Sequence, residues 1–208
     1  MKPGKVIVIS APSGTGKSTI INAILDRGEL DLQFSVSATN RSPRPGEVNG
    51  VNYHFLTDEQ FHDAIAADEF IEWENVYPGR YYGTLKSEVT SKTEAGHNIV
   101  LDIDVKGALN VKKLYGDKAL TLFVMPPSIA ALQQRLEHRG TEAPEVIAER
   151  VARAEFEISL APEFDAVVVN DALDKATEEA NGVIKPFIGK SRLSAYSAGR
   201  STLCTSAT

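Results

Sequence analysis

The segment Val6–Thr19 constrains the fold of this chain more than any other. It joins a run of β-branched apolar residues to a loop of small residues, and then to Gly-Lys-Ser-Thr where a helix is predicted to begin. Backbone N–H groups in such a loop point inward and surround a polyphosphate, and the N-terminus of the helix adds a favourable field for anions. The sequence therefore predicts a phosphate-binding loop between a strand and a helix.

Specific roles follow for three residues of this loop. Lys17 would reach the β- and γ-phosphates of a bound nucleotide, and the Ser18 hydroxyl would hold Mg²⁺. Ala11 stands where the usual pattern has glycine, so we expect an ordinary backbone conformation there. A strand–turn–helix joint that merely contains Gly-Lys is the alternative, which the complete order of strand, loop, lysine, serine and helix disfavours. The residues predicted to surround the phosphates are Ala11, Pro12, Ser13, Gly14, Thr15, Gly16, Lys17, Ser18 and Thr19.

Strands and helices alternate along most of the chain, which predicts an α/β fold with a parallel sheet covered by helices on both faces. Residues 37–84 break this alternation because they are strand-rich, and we expect them to form an inserted subdomain over the ligand edge of the sheet. The core then comprises 1–36 and 85–188. The tail 189–208 is rich in Ser, Thr, Gly and Ala and is expected to be flexible.

Local signals give a coarse map within these segments. Thr57 and Gln60 predict a capping box for a helix over about 58–67. The stretch 38–50 is rich in turn formers and predicts no regular element. A short strand is expected at 34–37, immediately before the turn-rich stretch.

Composition limits the classes of partner. The formal net charge is −6, which argues against a general nucleic-acid binder. No apolar run approaches the roughly 20 residues needed to cross a membrane. The single cysteine, Cys204, excludes a disulfide framework within the chain, and the first residues show no signal-peptide pattern. We therefore expect a cytoplasmic protein whose partners are small molecules.

Asp102 and Asp104 follow a predicted buried strand. Alternation places both side chains on the same side, at the carboxyl end of the strand where α/β proteins bind ligands. A carboxylate there can hold water on Mg²⁺ next to a phosphate loop. Helix capping is the rival explanation, above all for Asp104, which immediately precedes a predicted helix.

Arginines mark two further segments. Arg41 and Arg44 lie in a loop stiffened by prolines, and two fixed guanidinium groups suit a monophosphate dianion. A solvated loop with ordinary surface arginines is the alternative. Two predicted helices around a short polar connection form a lid at about 135–153, whose arginines could cover a transferring phosphoryl group or form surface ion pairs. These lid arginines are Arg135, Arg139, Arg150 and Arg153.

Glu72 lies within the apolar strand Phe70–Glu74. A carboxylate in a cleft can accept two hydrogen bonds from guanine, from the ring N1–H and the exocyclic amine, whereas adenine has an acceptor at N1. The alternative is that Glu72 faces water on the polar side of a half-exposed strand.

Taken together, the motifs resemble guanylate kinase, a nucleoside monophosphate kinase of the P-loop NTPase class. The likeness covers about residues 2–188 and includes the phosphate loop, the Ser-Val-Ser-Ala-Thr-Asn-Arg-Ser-Pro-Arg-Pro-Gly-Glu stretch, Phe-Ile-Glu-Trp, Tyr-Tyr-Gly-Thr and Leu-Asp-Ile-Asp. The resemblance implies a Mg²⁺-dependent reaction, ATP + GMP ⇌ ADP + GDP, with dGMP as a further acceptor.

The resemblance also implies roles for individual residues. The acceptor set is Ser37, Arg41, Arg44, Tyr53, Glu72, Tyr82, Thr84, Asp102 and Asp104. Within it, the phosphate is held by Arg41, Arg44, Tyr53 and Tyr82, and guanine is faced by Ser37, Glu72 and Thr84. The catalytic set is Lys17, Arg41, Arg135, Arg139 and Arg150. Ser18 and Asp102 are the Mg²⁺ candidates, although which of Asp102 and Asp104 serves the metal stays open, and Asn170 borders the adenine.

Two other functions remain compatible with these motifs. Guanylate-kinase-like domains that have lost catalysis bind peptides, but intact Lys17, Ser18 and Arg41 disfavour that role. A phosphate-loop kinase of similar fold could instead act on a sugar phosphate, and Glu72 with Ser37 favours guanine over it.

Overall fold

The computed structural model describes residues 3–138 and 143–189. Its strands are β1 (Val6–Ser10), β2 (Leu32–Phe34), β3 (Ala38–Thr39), β4 (His54–Phe55), β5 (Phe70–Tyr77), β6 (Arg80–Leu85), β7 (Asn98–Asp102), β8 (Ala119–Met125) and β9 (Ala166–Val169). Its helices are α1 (Lys17–Arg27), α2 (Asp58–Ala66), α3 (Lys86–Glu94), α4 (Val105–Tyr115), α5 (Ile129–His138), α6 (Pro144–Ser159) and α7 (Leu173–Gly189), with single turns at Gly116–Lys118 and Ala161–Glu163.

Five parallel strands form the central sheet in the order β2-β7-β1-β8-β9. Every residue of β1 is buried, and its side chains alternate between two apolar clusters. Ile7 and Ile9 pack on the side covered by α1 and α7, whereas Val6 and Val8 pack on the side covered by α3 and α4. The predicted parallel sheet with helices on both faces is therefore confirmed.

A second sheet has the order β4-β3-β6-β5 and lies within the strand-rich segment. Its β5 and β6 form an antiparallel hairpin, and α2 covers it through the buried Phe61, which stacks on Phe70 at a centroid distance of 4.6 Å. The predicted capping box of α2 is present, because Thr57 accepts from the Gln60 backbone and the Gln60 side chain accepts from Thr57. Helices α5 and α6 pack on each other around Leu132, Leu136 and Ile147.

Three local expectations are wrong. The predicted strand at 34–37 is displaced, since β2 covers Leu32–Phe34 and pairs with β7 at the sheet edge. The stretch 38–50, expected to lack regular structure, begins with β3, which is held between β4 and β6. Gly189, assigned to a flexible tail, is the last residue of α7. The rest of that tail lies outside the described residues.

Within residues 3–138 and 143–189, no helix is long and apolar enough to span a membrane.

Gly107 of α4 and Gly182 of α7 lie in contrasting surroundings. A Cβ built on Gly107 of α4 would lie 2.6 Å from Oε2 of Glu72 and 3.1 Å from Oδ1 of Asp104. A Cβ on Gly182 of α7 would meet no heavy atom within 4 Å. Glycine at position 107 therefore allows α4 to approach β5 closely, whereas position 182 has room for a side chain.

We expect opposite effects from alanine at these two positions. Glycine in a helix costs about 1 kcal/mol relative to alanine, so G182A should raise the free energy of unfolding by about 0.5–1 kcal/mol. G107A should lose that gain, because its methyl group would displace a buried carboxylate, and should be less stable than G182A by at least about 1 kcal/mol. Urea denaturation of both variants measures the difference, and equal stabilisation would show that the Glu72 side chain moves aside without cost.

Candidate active site

The loop between β1 and α1 has the backbone of an anion-binding turn. Gly14 and Gly16 adopt φ values of 91° and 94°, and the Thr15 N–H donates to Pro12 O at 3.2 Å. A Cβ on Gly16 would lie 2.6 Å from Nδ2 of Asn170, so glycine is required there on both grounds. Ala11 has no positive φ and is buried, which confirms the ordinary conformation expected at that position.

Asn170 and Arg135, which are both predicted site residues, hydrogen-bond to the backbone of this loop. Asn170 Nδ2 donates to Thr15 O at 2.7 Å, and Arg135 donates to Thr15 O at 3.3 Å and to Asn170 O at 2.9 Å. Thr15 is fully buried, and the Asn170 side chain faces the loop backbone. The structure thus places Asn170 and Arg135 as supports of the phosphate loop.

Lys17 and Ser18 meet Asp102 at the end of β7. Lys17 Nζ lies 2.5 Å from Asp102 Oδ1 and donates to Ile103 O at 3.1 Å. Ser18 Oγ donates to Asp102 Oδ2 at 3.2 Å. The register of the sheet creates this cluster, because Ile9 of β1 pairs with Asp102 of β7. A hydroxyl and a carboxylate at this spacing are hard oxygen donors of the kind that Mg²⁺ prefers.

Asp104 lies two residues after Asp102, immediately before the first residue of α4. Its Oδ1 accepts from Gly107 N at 2.8 Å, so it caps α4. Its Oδ2 lies 3.7 Å from Nη2 of Arg153, and Asp104 also raises the pKa of Glu72. Asp102 therefore lies on the phosphate-loop side of the site and Asp104 on the Glu72 side.

Arg41 lies near the start of the inserted segment 37–84, where Glu47 holds its side chain. Its two Nη atoms each lie 2.7 Å from a carboxylate oxygen of Glu47, and its guanidinium carbon lies 4.9 Å from the Tyr53 ring centroid and 5.5 Å from that of Phe55. The Arg41 side chain is only 8% exposed. Tyr53 in turn contacts the Tyr82 ring edge-on at 5.9 Å. The predicted phosphate-binding group thus converges around one buried guanidinium.

Glu72 is buried, so the alternative that it faces water is wrong. The side chain is 6% exposed, and Thr84 Oγ1 donates to Glu72 Oε1 at 2.6 Å across the β5–β6 pair. Burial raises the pKa of Glu72 to about 7, the nearby Asp104 adds to this rise, and the Thr84 hydrogen bond opposes it. The Glu72 carboxyl group thus holds its proton more tightly than an exposed glutamate does.

These groups line a single cleft of about 940 Å³ between the phosphate loop, the inserted sheet and α6. It contains Ala11, Pro12, Ser13, Gly14, Gly16, Lys17, Ser18 and Thr19 on one side, and Ser37, Arg41, Arg44, Tyr53, Glu72, Tyr82, Asp102, Asp104 and Arg150 around the rest. Thr84 reaches the cleft only through Glu72. Thr15, Arg135 and Asn170 do not line it, and Arg139 lies outside the described residues.

Helix α6 contributes more to the cleft than the sequence indicated. Arg150 Nη1 donates to Ser13 Oγ at 2.8 Å. Arg153 donates to Val76 O at 2.9 Å and to Glu157 Oε1 at 2.8 Å. Burial raises the pKa of Glu157, and Arg153 opposes that rise. Arg153 is among the arginines for which the sequence left a lid role and a surface ion pair open, and its ion pair with Glu157 is observed. Glu157 was not predicted as a site residue, although its i, i+4 spacing from Arg153 on a helix is a usable signal.

The raised pKa of Glu72 predicts how stability depends on pH. The carboxyl group binds its proton more tightly in the folded state. The protonated side chain therefore adds to the free energy of unfolding, fully below about pH 4.5, and this addition is lost as the pH rises through about 7. A shift of this size corresponds to at most about 3 kcal/mol. E72Q cannot ionise and should gain about this much stability relative to the wild type between pH 4.5 and pH 8.

Denaturant unfolding at several pH values measures this difference. E59Q provides the control, because Glu59 is an exposed glutamate on α2 of the same segment. A pH-independent difference between E72Q and the wild type would show that Glu72 ionises normally in the folded protein.

Known proteins resemble this chain over most of its length. The family model for guanylate kinase matches residues 3–186. A guanylate kinase from Bacteroides fragilis is 54% identical over 185 residues, which covers 89% of this chain and 90% of the relative. A guanylate kinase from Salinibacter ruber is 52% identical and covers 90% of this chain and 99% of the relative. The crystal structure of guanylate kinase from Anaplasma phagocytophilum superposes with a TM-score of 0.73 at 27% identity, covering 91% of this chain and 89% of that one.

The family match spans almost all described residues. The chain belongs to the guanylate kinase family.

Proposed function

We propose that the cleft transfers the γ-phosphoryl group of ATP to GMP, or to dGMP, and releases ADP and GDP. Membership of the guanylate kinase family supports this activity, with ATP as the phosphate donor. The phosphate loop with Lys17, Ser18 and Thr19 takes ATP, and the inserted sheet takes GMP. Helix α6 borders both nucleotides.

The buried Glu72 carboxylate is the observation that carries the choice of acceptor. It lies in the cleft with Thr84 on one oxygen, which leaves acceptor capacity for a ligand. Guanine offers two adjacent donors, N1–H and the 2-amino group, and a carboxylate can accept both. The Arg41 group is at the other end of the same segment, where it would take the monophosphate. A cleft with one group that binds the base and another that binds the phosphate fits a purine nucleoside monophosphate.

The chemistry needs positioning and charge more than proton transfer. The phosphate of GMP is itself the nucleophile and requires no strong base at pH 7, so in-line alignment and charge neutralisation carry the catalysis. Lys17 and Arg150 supply positive charge at the phosphate loop, and Arg41 with Arg44 holds the acceptor. Water must be excluded, or ATP would be hydrolysed, and approach of the inserted segment and α6 over the nucleotides would exclude it.

Mg²⁺ is part of this proposal. Ser18 Oγ and Asp102 provide hard oxygen donors 3.2 Å apart beside the loop, which fits a metal held by a few protein oxygens, water and the phosphates of ATP. In that position the ion would neutralise charge that develops on the transferred group. Asp104, which caps α4 next to Glu72, belongs to the acceptor side.

We assign core 1–36 and 85–188, an acceptor-binding insertion 37–84 and a lid around 135–153, with Asn170 beside both the loop and the adenine. Low cysteine content and metabolite substrates support a cytoplasmic location, and the net charge of −6 supports a protein that does not bind nucleic acid.

Acceptor specificity tests this proposal through Glu72. Wild-type protein should use GMP and dGMP, with AMP a poor substrate, because adenine presents a bare N1 acceptor to the carboxylate and lacks the 2-amino group. Sites built on such pairing discriminate by about 10⁴. E72Q exchanges one acceptor for a donor and should lose about 10²-fold or more in kcat/KM for GMP. The preference for GMP over AMP should shrink with it.

The measurement is kcat/KM for GMP, dGMP, AMP, UMP, CMP and a ribose bisphosphate with both proteins. If E72Q leaves the ratio of kcat/KM for GMP to kcat/KM for AMP unchanged, Glu72 does not recognise the base. Phosphorylation of the sugar phosphate in preference to GMP would overturn the proposed function itself.

Lys17 tests the donor side. K17A should lose about 10²–10³-fold in kcat, since electrostatic stabilisation of a transferring group is worth roughly 3–4 kcal/mol. K175A removes an equally charged but exposed lysine from α7 and should retain full activity. A coupled ADP-release assay and thermal melting measure both variants. Less than about fivefold loss in a folded K17A protein would place the phosphate loop outside the reaction.

A further inference from the structure

Glu47 holds Arg41 with both carboxylate oxygens. Oε2 accepts from Arg41 Nη1 and Oε1 from Nη2, each at 2.7 Å. Oε2 also accepts from Arg44 N at 2.7 Å, and Glu47 N donates to Arg44 O at 3.0 Å, so one glutamate fixes the Arg41 guanidinium and the Arg44 backbone. The hydrogen bond with Arg41, followed by that with Arg44, lowers the pKa of Glu47 to about 2.

The remaining donors of Arg41 lie on one edge of its guanidinium. The group has five N–H bonds. Glu47 takes one hydrogen from each Nη, and Ser42 O takes the second from Nη1 at 3.0 Å. Nε–H and the second hydrogen of Nη2 remain for groups other than Glu47 and Ser42, and they point to the same side of the planar group. The Tyr82 hydroxyl, itself a predicted phosphate ligand, also hydrogen-bonds to the Arg41 side chain. Nε is buried without a hydrogen-bond partner among the described residues.

The cleft and Glu47 approach Arg41 from different directions. Arg41 and Arg44 are among the residues that line the cleft, and Glu47 is not. The rings of Tyr53 and Phe55 are near the guanidinium and restrict it further. A phosphate can therefore bind the Nε/Nη2 edge while Glu47 stays on the Nη1/Nη2 edge.

We propose that Glu47 is a positioning residue for the acceptor phosphate: it holds the Arg41 guanidinium so that its Nε/Nη2 edge faces the cleft. This inference rests on the proposed function, because it takes the phosphate of GMP as the ligand of Arg41. Glu47 acts by removing the rotational freedom of a long side chain before the ligand arrives, which reduces the entropy lost on binding.

The direction in which removal of the Glu47 charge changes phosphate affinity separates this role from simple electrostatics. Removing a negative charge near a phosphate site should tighten phosphate binding if charge alone mattered, and so should removing a group that competes with phosphate for Arg41. Loss of a positioning residue should weaken binding instead. E47Q keeps the size of the side chain but places an amide donor against one Nη group.

We expect E47Q to raise the Kd and KM for GMP by about tenfold or more, with the KM for ATP and the kcat nearly unchanged. Binding of guanosine, which lacks the phosphate, should change by less than about twofold, a selectivity that general loop damage would not produce. E59Q, with the same charge change on an exposed site of α2, should match the wild type for both ligands. Calorimetry, steady-state kinetics and thermal melting provide the data.

A double-mutant cycle completes the test. In an R41A background E47Q should have little further effect on GMP binding, because Glu47 acts through Arg41. Tighter or unchanged GMP binding by E47Q, equal weakening of guanosine, or an undiminished effect in R41A would each overturn the inference. If E47Q fails to fold, E47D replaces it, and its shortened side chain should weaken GMP binding without affecting guanosine. Absence of GMP phosphorylation by the wild type would overturn the proposed function instead.

Discussion

The parallel pairing of β1 with β7 is the constraint on which the site depends. Ile9 pairs with Asp102, so the phosphate loop and the aspartate leave the sheet at the same level. This register brings Lys17 and Ser18 within contact of Asp102 without any specialised connection. On the other side of β1, β8 and β9 end at the same edge, where Asn170 N donates to Met125 O and the Asn170 side chain supports the loop. The donor side is thus a consequence of how parallel strands align.

The acceptor side depends on burying a carboxylate that would otherwise remain in water. The β5–β6 register places Glu72 opposite Thr84, which satisfies one carboxylate oxygen, and the side-chain-free surface of α4 at Gly107 lets the carboxylate fit. Burial still disfavours its ionised form, as the raised pKa shows. A ligand that donates two hydrogen bonds relieves that cost, whereas a ligand without them does not. Under the proposed function, selectivity for the base comes from a group whose ionised form burial disfavours.

Local signals predicted the features that local physics determines. The phosphate loop, the capping box of α2 and the helices that cover β1 each depend on neighbouring residues, and all were anticipated. The strand β3 was not, because two residues form a strand only through partners at β4 and β6. The predicted bounds of β2 were wrong for a similar reason, because its position is set by pairing with β7. At the site, the sequence left open whether Glu72 lies in a cleft or faces water, and the structure shows it buried. The roles of Glu47 and Gly107 require contacts that only the folded chain reveals.

Helix α6 shows why the lid arginines could not be assigned from spacing alone. Arg150 and Arg153 are three residues apart and lie on one face of the helix, yet they contact different parts of the site. Arg150 binds Ser13 of the phosphate loop, whereas Arg153 binds Val76 O of the inserted sheet and lies 3.7 Å from Asp104. One helix face therefore touches both the donor loop and the acceptor sheet. Spacing on a helix thus specifies a shared face, but the elements packed against that face decide what each arginine contacts.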